Sequence, residues 1–120
     1  MSGSRPVLAV HGALSRGAFA VVVLVSLAVL FTPGSDIPSA APGVDKIVHV
    51  ALFASLAVTG LWAGIRTAVL VGLLVLYAAA SEVVQALSAL ERSGSVADWA
   101  ADVLGVIAGL LLWAGIARRT

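Results

Sequence analysis

The 120-residue sequence contains no cysteine. That absence removes disulfides, thiolate metal sites and cysteine nucleophiles from consideration, and it says nothing about compartment. Charge is the second shortage: 11% of the residues are Asp, Glu, Lys or Arg, against 61% hydrophobic. So little polar surface cannot coat a water-soluble globule of this size, and the composition is that of a membrane protein. Basic runs and low-complexity tails are missing too, and the formal net charge is only +1, which leaves no electrostatic footprint for nucleic acid. Where the few charges sit therefore matters more than their sum.

What is present is a series of apolar stretches. A hydrocarbon core of about 30 Å needs about 20 apolar helical residues per crossing, and the chain supplies four such stretches with short connections between them. The first covers about residues 17–32 and ends at Thr32-Pro33-Gly34-Ser35-Asp36, where Pro and Gly stop a helix and favour a turn. A loop over 33–44, containing Pro38 and Pro42, leads into the second stretch at about 45–65, which Arg66 follows. The third runs over about 67–90. Glu91-Arg92-Ser93-Gly94-Ser95 separates it from the fourth, about 96–117, with Arg118 and Arg119 beyond.

The expected fold is all-α, an integral membrane bundle of four transmembrane helices over 17–120, preceded by an N-terminal tail at 1–16 that includes His11. Arg5 and Arg16 before an apolar core, with Ser39, Ala40 and Ala41 after it, also fit a signal peptide. Whether the first stretch is retained or cleaved stays open at this point.

Cytoplasmic loops carry an excess of Lys and Arg close to the segment ends. Arg5, Arg16, Arg66, Arg118 and Arg119 fall on one side of the expected bundle with no acid among them. Asp36, Asp45, Lys46, Glu91 and Arg92 fall on the other. Both termini are therefore expected in the cytoplasm, in a multi-pass protein of the cell membrane. Trp62 and Trp113 fall near the inner boundary and Trp99 near the outer one, positions that suit the headgroup region and equally suit ordinary packing. Gly60-x-x-x-Gly64 and Ala101-x-x-x-Gly105-x-x-x-Gly109 place small residues on helical stripes that let backbones approach, within the chain or between copies of it.

The ionisable groups inside the apolar stretches gather toward the outer ends of their segments. A charge at the bilayer centre costs several kcal/mol, which makes an intramembrane ionisable residue a site hypothesis by default. In the second stretch Asp45 and His49 are four apart and Lys46 and His49 three apart, on neighbouring positions of one helix face. Ser81, Glu82 and Gln85 repeat that spacing near the end of the third, and Asp98 and Asp102 near the start of the fourth. Carboxylates in apolar surroundings need cations or donors beside them, and Lys46, Arg92 and a protonated His49 are available. Glu82, Asp98 and Asp102 are thus expected to meet these cations between the second, third and fourth helices, in a pocket open to the outer face. The competing role for such a cluster is to fix helix register. Catalysis would use His49 as a general base with Glu82 or Asp98, and Ser81 as a remote nucleophile candidate, but no motif supports it. Ligand types suited to metal are present in His49, Glu82, Asp98 and Asp102 without a recognised ligand motif, so no metal and no cofactor is assigned. Tyr77 is expected in the core.

D-K-I-V-H at 45–49, S-E-V-V-Q at 81–85, Arg92, D-x-x-x-D from Asp98 to Asp102 and G-x-x-x-G from Gly105 to Gly109 together resemble the VanZ-like family of small membrane proteins. The resemblance covers about 33–112, including the Pro after the first helix, and rests on the order and spacing of these pieces. It marks Asp45, Lys46, His49, Glu82, Gln85, Arg92, Asp98, Asp102, Gly105 and Gly109. Asp102 departs from the family, where Asn is common, and adds an acid to the cluster. The resemblance implies a multi-pass protein of the cell envelope. The name-giving member is linked to resistance to the glycopeptide teicoplanin, and no reaction is implied. The partners expected are the lipid bilayer and a lipid or lipid-linked envelope component held by the marked residues. Self-association into a homo-oligomer is left open.

Overall fold

The computed structural model describes residues 12–31, 44–87 and 96–119. Among them every element is an α-helix: α1 Ala13–Phe31, α2 Val44–Trp62, α3 Thr67–Leu87 and α4 Val96–Arg119. Three of these, α1, α3 and α4, are long and apolar enough to cross a membrane. The apolar run of α2 is shorter, Lys46–Trp62, about 25 Å at the helical rise per residue. The chain is thus a helical protein with the character of a membrane protein. The tail before residue 12, with Arg5 and His11, the 32–43 loop and the 88–95 connection lie outside the described residues.

α1 begins at Ala13 rather than Gly17, so the end of the expected tail is helical, and the Ser15 hydroxyl donates to the Gly12 carbonyl at 2.8 Å. α2 ends at Trp62 rather than near Ile65, and the cause is Gly64. Its φ of 94° lies in the left-handed region that only glycine enters without a Cβ penalty. The Gly64 N–H donates to the Leu61 carbonyl at 3.0 Å and the Ile65 N–H reaches back to Gly60 at 3.1 Å, the paired bonds of a Schellman cap. Gly64 is therefore a helix stop, not half of a packing stripe. Gly60 serves packing within the chain: a Cβ there would lie 2.6 Å from Leu70 and 3.3 Å from Phe19.

The contacts set the helix directions. Lys46 meets Asp98, His49 meets Asp102, Phe53 meets Gly105 and Ala57 meets Gly109. Partners advance together along both segments, so α2 and α4 run parallel. Glu82, near the end of α3, comes beside His49 and Asp102 near the starts of the other two, so α3 runs the opposite way. α1 packs on α2 and α3. Its Ser26 hydroxyl donates to the Val23 carbonyl at 2.8 Å, and at 2.9 Å from Tyr77 Oη it accepts the tyrosine proton, because its own is already used.

α2 touches each of the other helices, whereas α1 and α4 do not meet among the described residues. The helix with the shortest apolar run is thereby the most enclosed. Phe53 and Leu56 of α2, Leu70 and Leu74 of α3, Leu30 of α1 and Val106 of α4 form the buried core, with the Tyr77 ring 5.7 Å from that of Phe53. Trp99 packs against this core. Leu24, Leu76 and Leu111 point outward and are largely exposed, the arrangement expected of helices whose outer surface faces lipid.

A buried polar cluster as the candidate functional site

Two short-range spacings place the polar side chains. Lys46 and His49 are three apart on α2, and Asp98 and Asp102 are four apart on α4, so each pair lies on one helix face. The parallel alignment of the two helices brings those faces together. The Lys46 ammonium donates to Asp98 Oδ1, and His49 Nδ1 lies 2.6 Å from Asp102 Oδ1. Asp98 occupies the first turn of α4, where the partial positive charge of the exposed backbone N–H groups favours a carboxylate.

The two contacts differ in setting. The Lys46 side chain is 44% exposed, so its stem lies along the bundle while its charge reaches the boundary. His49 and Asp102 are 1% and 0% exposed. At 2.6 Å the imidazole and the carboxyl group are joined by a hydrogen bond from α2 to α4. α3 completes the group with Glu82, also buried. One ligand-type atom each from His49, Glu82 and Asp102 lies within 4.8 Å of the other two. Among the described residues these are the ones able to hold a metal ion; Asp98, included in the sequence-based set, is turned instead toward Lys46.

The structure therefore brings together five of the residues singled out from the sequence: Lys46, His49, Glu82, Asp98 and Asp102. The acid on the imidazole is Asp102, one turn along α4 from Asp98. The Asp45 and Gln85 side chains and all of Arg92 lie outside the described residues. Ser81 is fully buried, and its hydroxyl donates to the Ala78 carbonyl of its own helix at 2.9 Å, a back-bond that ties its proton to α3 and argues against a nucleophile.

Below the cluster the helix pair is joined without side chains. A Cβ at Gly105 would lie 2.5 Å from the Val50 carbonyl oxygen and 2.9 Å from Phe53 Cβ; at Gly109 it would lie 2.6 Å from both the Ala54 oxygen and Ala57 Cβ. The glycine stripe of α4 is thus occupied by α2 of the same chain. Sequence reasoning missed Ser26. A hydroxyl in the middle of the otherwise apolar first stretch was the available signal, and Tyr77 was the only phenol to meet it.

Comparison of the chain with protein-family models, with curated proteins and with solved structures returned no match.

Proposed function

We propose that the chain is a VanZ-like, four-span protein of the cell membrane, with both termini cytoplasmic, whose polar cluster faces outward and binds a lipid or lipid-linked head group of the envelope. The observation that supports this best is the meeting of Lys46, His49, Glu82, Asp98 and Asp102 from three helices at one end of the bundle. Arg16 near the start of α1, Arg66 between α2 and α3, and Arg118 near the end of α4 supply the positive excess at the other end that cytoplasmic faces carry. α2 counts as the fourth span because its polar start is matched by α4 and its outer surface is largely covered by neighbours.

In this reading Lys46 and Arg92 hold an anionic head group by charge-assisted hydrogen bonds, and Glu82, Asp98 and Asp102 orient them or engage amines and hydroxyls. Native mass spectrometry from mild detergent tests it. The wild type is expected to carry a lipid that the Lys46→Ala, Arg92→Ala double variant loses; equal amounts of the same lipid on both refute the head-group reading. Tolerance of teicoplanin is the phenotype to which the proposal extends, read as susceptibility of a host with and without the chain.

The His49–Asp102 contact favours a second reading, a membrane hydrolase or transferase in which an acid-oriented imidazole acts as general base. Its mark is loss of turnover in His49→Ala and Glu82→Ala with membrane accumulation intact. If both variants instead lose accumulation and no lipid is ever bound, the cluster is a structural device that holds the helices.

A further inference from the structure

We propose that His49, Glu82 and Asp102 form a site for one divalent transition-metal ion of the zinc or manganese class. Each residue comes from a different helix, and all three are buried. Their candidate ligand atoms lie within 4.8 Å of one another. Tetrahedral ligands at about 2.1 Å from one ion stand about 3.4 Å apart, so side-chain movements on the order of 1 Å close the set.

Charge and donor type narrow the ion. Two carboxylates, a neutral imidazole and a divalent cation sum to zero, and a site without net charge is the kind that an apolar bundle can enclose. One nitrogen and two oxygens are a poor match for Ca²⁺, which takes six to eight oxygens, and for Mg²⁺, which gives up its waters reluctantly. Imidazole with carboxylates suits zinc and its first-row neighbours, including manganese. Three protein ligands leave a position open, as in sites where a bound water or a substrate group completes the shell.

Asp98 supplies an internal control. It is the acid nearest in sequence to Asp102 on the same face, yet its carboxylate is engaged by the Lys46 ammonium. An ion attracted merely by local negative charge would depend on Asp98; an ion ligated by the three-helix set would not. The inference does not rest on the head-group reading, since metal content and bound lipid are measured separately.

The test uses the full chain purified in mild detergent without a polyhistidine tag. Metal content is measured after gel filtration, and the thermal unfolding of chelator-stripped protein is followed on addition of ZnCl₂ or MnCl₂. About one equivalent of metal per chain and a rise in unfolding temperature on add-back are expected. Glu82→Gln and Asp102→Asn should each lower the retained metal by about tenfold or more, while Asp98→Asn retains it. The proposal is overturned by wild-type protein that holds no metal and gains no stability from either salt. It is equally overturned if Asp98→Asn loses as much metal as Glu82→Gln, or if the two ligand variants keep a full complement. Because the chelator and add-back series uses wild-type protein alone, it decides the matter even if a ligand variant fails to fold.

Discussion

The pairing of α2 with α4 is made in two ways along its length. In the first turns, side chains of opposite character meet: Lys46 with Asp98, and His49 with Asp102. Further along, the helices meet backbone to backbone, because Gly105 and Gly109 present no side chain to Val50 and Ala54. Dispersion and backbone approach drive helix association in lipid, where apolar burial gives no advantage, and the glycine half supplies both. The polar half supplies discrimination instead. A parallel pair slid by one turn could still find small residues in contact, but it would strand a buried acid away from its imidazole. Close packing thus accounts for adhesion, and the polar contacts account for register.

The largest effect expected from breaking this division of labour lies at Asp102. Asp102→Ala leaves His49 buried without its acid, and such one-sided losses cost about 3–5 kcal/mol. The double variant His49→Leu, Asp102→Leu replaces the pair by apolar groups and should recover most of that loss, as measured by reversible unfolding in detergent. If the double variant is as unstable as the single one, the polar half contributes adhesion as well as register.

Gly105→Ala comes next. Its new methyl meets a backbone oxygen that cannot rotate away, and overpacking of this kind costs about 1–3 kcal/mol. Gly115→Ala on the same helix meets nothing within 4 Å, and should be neutral or stabilising by up to about 1 kcal/mol from helix propensity alone. Equal responses at the two glycines would remove close approach as the basis of the packed half.

Smaller again is the contact between α1 and α3. Tyr77→Phe removes the hydrogen bond to Ser26 and should cost about 0.6 kcal/mol, with about 1.7 as an upper bound for interhelical bonds in a membrane. Ser26→Ala combined with Tyr77→Phe should cost little more, and a double-mutant cycle checks this. Smallest is Lys46→Met, because ion pairs with an exposed partner contribute about 0–1 kcal/mol. A larger loss at Lys46 than at Asp102 would reverse the comparison between the boundary and buried contacts.

Much of this arrangement was legible in the sequence because membrane helices announce themselves by length and polarity. The starts of α3 and α4 fall at Thr67 and Val96, as the pattern of charged connections implies. The end of α2 was less legible, since Ala63, Gly64 and Ile65 continue the apolar run; what stops the helix is a backbone angle at Gly64, which hydropathy does not register. Among the polar residues, spacing placed Lys46, His49, Asp98 and Asp102 on the correct faces. Which acid meets the imidazole depends on the stagger of two helices, which the spacing of residues within either helix does not give. Ser26 was overlooked for a related reason: a lone hydroxyl in a helix can satisfy itself on its own backbone, and only the position of Tyr77 gives it a second role.

The enclosure of α2 has a consequence for how the chain is made. On the proposed topology its polar start, with Lys46 and His49, enters the membrane while the ribosome has yet to deliver Asp98 and Asp102, which lie 52 and 53 residues downstream. Until then the second segment, with the shortest apolar run of the four, lacks the acids of α4. On that topology, insertion of the first hairpin would become final only when the last segment arrives beside it.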